Sequence, residues 1–158
     1  MNLAQFTAQI ATMGGGIYNI VTGEAPTSGY SASHENIWYG ITIPETWDSM
    51  TTEERSLFLK PHIHQFIAQN GRQLEVSWDY ISAYTQDGLI ILEITRMFDE
   101  LYDAIVFGII NYQKTVHDFN RDVSIELPEG QTHGTMTQVM NYAKMVAMVL
   151  TDKILTNA

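Results

Sequence analysis

The chain contains no cysteine. Disulfide bridges, thiolate nucleophiles, zinc ribbons and iron–sulfur clusters are thereby excluded, and the redox setting is left open. Positive charge is scarce as well: eight Lys and Arg stand against 18 Asp and Glu, a formal net charge of −10. A protein that binds nucleic acid through phosphate needs Lys and Arg to displace counterions, so direct nucleic-acid binding is not expected. Charged residues of both signs make up only 16% of the chain, against roughly 25% in an average soluble domain. Interface cores are depleted of charge, so this composition tilts toward a chain that works against other protein chains.

Long apolar runs are also missing. The best candidate for a membrane span, AIVFGIINY at 104–112, follows Asp99, Glu100 and Asp103 and is far shorter than the roughly 20 residues a span needs. The stretch MNLAQFTAQIATMGGG has neither the basic start nor the continuous apolar core of a signal peptide. Cytoplasm or a virion is the expected location.

What is present is enough apolar material for one core, 45% of 158 residues, and a single domain spanning 1–158 is the expectation. Leu3, Phe6 and Ile10 recur at spacings of three and four, predicting a short helix over 2–12 that the Gly14-Gly15-Gly16 run ends. The Gly-, Pro- and Ser-rich text from Gly23 onward reads as an irregular arm at about 23–50, with IWYGITIP as a short extended segment stopped by Pro44. Thr51 with Glu54 three residues on forms a capping-box pattern, and an apolar face follows to Asn70-Gly71, predicting a helix over 49–70 that Pro61 kinks or divides.

Residues 73–97 admit two readings. Ile91, Ile94, Phe98, Leu101, Ile105, Tyr112 and Phe119 share a seven-residue repeat, which favours a long central helix from about 88 to 119, with Gly108 allowing a close helix–helix approach. The alternative is a small β-hairpin turning at Asp87-Gly88. A C-terminal helix over 135–155 is expected, capped by Thr135 or Thr137. Its methionines at 136, 140, 145 and 148 read as core, with an adaptable packing face as the alternative. The fold class expected is mainly α, with α+β as the alternative.

Chemistry-bearing motifs are weak. In PHIH, Pro61 to His64, two histidines stand two apart. A strand would put them on one face, whereas a helix turns them about 200° apart and removes the chelate. No Glu-x-x-His pair exists for a di-iron bundle. Glu93, Asp99, Glu100 and Asp103 with Arg96 read as the solvated face of the long helix. His133-Gly-Thr135 has the His-x-Thr form of two-histidine phosphoesterases but lacks a second copy, the glycine run lacks the Lys-Ser/Thr of a phosphate loop, and no Gly-x-Ser-x-Gly elbow supports a catalytic triad. No catalytic residue, metal ligand or cofactor is therefore assigned.

Aromatic residues supply the remaining signal: Tyr30, Trp38, Tyr39 and Trp47 cluster in the arm, and Trp and Tyr are enriched where proteins bind one another. The functional expectation is a non-enzymatic structural or interaction subunit, a homo-oligomer or part of a larger assembly such as a virion or phage particle, with those four aromatics as partner-binding residues. Two alternatives stand beside it. One is an acidic inhibitor that blocks the nucleic-acid groove of a target protein; the other is a small histidine- or metal-dependent enzyme built from His62, His64, His117 or His133.

Overall fold

The computed structural model describes residues 1–127 and 135–156, with side chains as far as residue 151. It is 44% helix and 29% strand, which makes the fold α+β and overturns the mainly helical expectation. The elements run α1 (Leu3–Met13), β1 (Gly16–Tyr18), β2 (Tyr30–Thr42), a short 3-10 helix (Trp47–Ser49), α2 (Thr52–Leu74), β3 (Asp79–Gln86), β4 (Leu89–Phe98), α3 (Leu101–Ile110), β5 (Thr115–Asp118), β6 (Val123–Glu126) and α4 (Met136–Thr156). The strands hydrogen-bond in the order β1-β3-β4-β2-β5-β6. The chain divides into two compact units, Met1–Pro26 with Asn36–Thr95 and Thr27–Glu35 with Arg96–Ala158, so β2 and β4 each pass from one unit into the other.

In the first unit, α1 and α2 pack together, and Phe6, Ile10, Leu59, Ile63 and Phe66 meet the inward residues of the sheet, Ile41, Ile81, Ile90, Leu92 and Ile94. Both helices start with a reciprocal cap. Asn2 accepts from the Gln5 amide and the Gln5 side chain accepts from the Asn2 amide; Thr51 and Glu54 do the same for α2. Each box satisfies two amides that a helix start leaves without partners. These bonds hold the Glu54 carboxyl below the usual carboxylate range. The helix α2 runs through Pro61 to the expected stop at Asn70, where the backbone leaves helical geometry (φ −117, ψ 18) and kinks, and a further helical turn follows to the fully buried Leu74.

The glycine run is a tight joint. Gly14 ends α1 in the left-handed region (φ 77), and a Cβ on Gly15 would sit 2.6 Å from the Ala83 carbonyl oxygen, so only glycine lets β1 lie against β3 here. Pairing runs Gly16↔Ala83 to Tyr18↔Ile81. Buried Asn19 ties the following turn to the start of β3: its amide donates to the Ser77 and Asp79 carbonyls (2.7 and 3.2 Å), and its carbonyl accepts from the Val21 and Thr22 amides (2.8 and 2.9 Å).

The long central helix is absent. Residues 79–98 form a hairpin that turns at Asp87 (φ 51) and Gly88 (φ 77), the paired left-handed geometry a two-residue Asp-Gly turn favours. In β4 the buried residues alternate, Ile90, Leu92 and Ile94, so period two governs where the seven-residue repeat pointed to a helix. Helix begins only at Leu101, after Asp99 and Glu100. The expected irregular arm is likewise corrected: residues 30–42 form the longest strand, which includes Asn36 in a left-handed conformation (φ 59).

In the second unit, α3 and α4 pack together over Ala32, Val116, Ile125 and Leu127. Gly108, expected to admit a neighbouring helix, instead admits Leu127 and strand β5: its added Cβ would lie 3.0 Å from Leu127 Cδ1 and 3.5 Å from Val116 Cγ2. Buried Asp118 organises the β5–β6 turn, accepting from the Asn120 amide and from Arg121 Nε (2.7 Å). The helix α4 starts with a third reciprocal cap, Thr135 with Gln138.

Candidate interaction surfaces

Among the described residues the histidines have separate surroundings. His62 and His64 both lie on α2, so the extended alternative at 61–64 is not the conformation adopted. His62 Nδ1 is 3.1 Å from the Tyr39 hydroxyl, beside Phe58, while His64 lines a groove between α1 and α2. His34 meets Phe107 edge to face, and His117 meets Phe119 edge to face with Asp122 3.4 Å away. His133 lies outside the described residues. Among the described residues no three His, Asp or Glu side chains gather at a point that could hold a metal ion, and no helix is long and apolar enough to cross a membrane.

The carboxylates expected on one helical face are dispersed too. Glu93 lies on β4, where its carboxylate accepts from Ser82 Oγ (3.3 Å), and Ser82 also bonds Thr95 (2.8 Å). Burial raises the Tyr84 phenol above its usual value, and Glu93 adds to the rise by its charge and by accepting the phenol's hydrogen bond. Tyr80 is raised by burial and then by the charge of Glu24. Arg96 places its guanidinium over the Phe107 ring, 5.2 Å from the centroid.

The four arm aromatics occupy different surroundings. Tyr30 packs against the core of the second unit, and Tyr39 against that of the first. Trp47 is half-buried between Phe58 and the Arg55 guanidinium, which donates from Nε to the Trp47 carbonyl (3.0 Å). Only Trp38 presents most of its surface to solvent, 61%, with its ring beside Gly40.

Two larger apolar surfaces lie outside the arm. On α4, Met136, Met140, Met145, Met148 and Val149 are all exposed, which overturns the reading of the methionines as core; the inward face is carried by Ala143 and Val146. Tyr102, Lys144, Ala147, Met148 and Thr151 line a shallow cleft beside it. On the first unit, α1 and α2 enclose a groove of about 680 Å³ with Ala4, Ala8 and Ser56 among its lining residues and Leu57, 70% exposed, standing in it. The sequence carried a signal for this groove: α1 has no charged residue from Leu3 to Met13, and Ala4 and Ala8 fall on one helical face away from Phe6 and Ile10.

No protein-family model, curated protein or solved structure matches the chain.

Proposed function

We propose that this protein is a non-enzymatic interaction subunit that works by self-association or by docking into a larger protein assembly. The observation that carries this reading is α4. Four methionines and a valine on one helix face solvent, although the same helix already buries Ala143 and Val146 against its own unit. An amphipathic helix satisfied within its own fold presents a polar outer surface; large apolar side chains left in solvent beyond the buried stripe are the pattern of a surface awaiting a partner, and methionine suits one because its flexible thioether adapts to the shape it meets. The exposed indole of Trp38 and the uncharged α1 favour the same reading.

Native mass spectrometry of the purified, untagged chain tests it. The expected result is a stable multiple of the 17.9 kDa chain. A chain that stays at 17.9 kDa at every concentration would contradict self-association and bring forward the acidic-inhibitor alternative.

A further inference from the structure

We propose that the outer face of α1 and α2 is a homodimer contact, in which two copies of α2 cross antiparallel about a two-fold axis beside Ser56 and Leu57. The inference rests on the interaction reading above and names both the partner and the surface.

Shape is the first argument. A two-fold contact must be self-complementary, because every residue that protrudes from one copy has to find its hollow on the same patch of the other. The groove holds both parts: Leu57 stands out into solvent, and Ala4, Ala8 and Ser56 leave the space beside it open. Leu57 of each copy can therefore fill the hollow of the other, with the small residues allowing close helix approach.

Charge is the second. Two chains of net charge −10 repel one another, so copies can meet only where the contact is locally balanced. On this face α1 contributes no charge, and the groove is lined by one carboxylate, Glu53, one ammonium, Lys60, and His64. Glu53 and Lys60 are exposed and make no hydrogen bond or ion pair among the described residues. Their positions have the symmetry a two-fold needs. Glu53 is three residues before Ser56 and Lys60 three after Leu57, so they lie about 10 Å apart along the helix. An antiparallel crossing at Ser56–Leu57 sets Glu53 of each copy against Lys60 of the other, forming both pairs at once. A basic partner would find only one carboxylate here and an acidic partner only one ammonium. A second copy satisfies both groups.

The test is sedimentation equilibrium on the untagged wild type and four variants, with circular dichroism and urea unfolding to establish that each is folded. The wild type is expected to dimerise. Leu57→Glu, which would press a carboxylate into the opposite hollow, is expected to weaken the dimer roughly 30-fold or more. Glu53→Lys and Lys60→Glu each turn both cross-pairs into like charges and should each weaken it roughly 10-fold, whereas the double reversal restores opposite pairing and should return to within roughly 3-fold of wild type. These charges are exposed, so the reversal series carries the test even if Leu57→Glu fails to fold. A dimer indifferent to Leu57→Glu, or a double reversal no better than the singles, overturns this surface and leaves the interaction reading standing. A wild type that remains monomeric overturns the dimer itself, whatever the variants do.

Discussion

Asn19 shows how much of the first unit depends on one polar side chain. It is fully buried, and its two donated and two accepted hydrogen bonds join the turn after β1 to the start of β3. Truncation leaves two carbonyls and two amides short of a partner, and a buried group left unpaired costs about 1–3 kcal/mol. Asn19→Ala is therefore expected to lower the urea midpoint by that amount of stability, with the slope of the transition unchanged; an unaltered midpoint would mean that water replaces the amide without loss. Tyr80 and Tyr84 give a second prediction at this scale. Both phenols are raised by burial and by a neighbouring carboxylate. A raised folded value means that the folded state holds the proton more tightly, so the stability these groups contribute is complete below the ordinary tyrosine value of about 10 and is lost as pH rises through the folded values. Ultraviolet titration should show Tyr80 and Tyr84 ionising above the ordinary tyrosine value, and Glu93→Gln should bring Tyr84 down while leaving Tyr80 in place.

Elements differ in how legible they were from the sequence. The helix starts at Asn2, Thr51 and Thr135 depend on residues three apart, so the signals at Thr51 and Thr135 could be read locally. The hairpin at 79–98 had its Asp-Gly turn in plain view, yet a seven-residue repeat running across β4, α3 and the β5–β6 turn imitated a helix. That repeat has no physical unity: Ile94 is buried in a strand, Ile105 in a helix, and Tyr112 is exposed at a left-handed turn (φ 54). The first half of strand β2 was hidden for a different reason. Its second half is legible as the extended IWYGITIP, but the first half, YSASHEN, is mostly Ser, Ala, Asn and charged or polar residues with little strand preference, and its partner β5 lies far along the chain. The helix α4 was read as a helix correctly but its methionines were placed inside. Their exposure makes a prediction: Met145→Gln with Met148→Gln should leave stability within about 0.5 kcal/mol of wild type, as solvent-facing substitutions do. A loss of about 2–5 kcal/mol, the cost of emptying a core position, would return them to the interior.

For the whole molecule, the scarcity of charge, complete in α1, is the property of the sequence that bears most on the candidate surfaces. It tilts toward contact with other chains without assembling the surface that would make it. The groove is made by α1 and α2, which are separated in sequence by two strands and a short 3-10 helix, and only the folded chain brings Ala8 and Leu57 to one lining. The arm aromatics illustrate the converse: neighbours in sequence, they were dispersed by folding, and only Trp38 was left mostly exposed. The absence of cysteine offers the most direct measurement of the central claim, because one introduced thiol reports on a single place without background. A disulfide needs Cα atoms about 4.4–6.8 Å apart, a separation that residues beside a two-fold helix crossing satisfy. Under mild oxidation, Ser56→Cys is predicted to run at twice 17.9 kDa on a non-reducing gel, while Val21→Cys, exposed but outside the groove lining, remains at the single mass. A Ser56→Cys chain that stays single, or two variants that cross-link alike, would contradict the account.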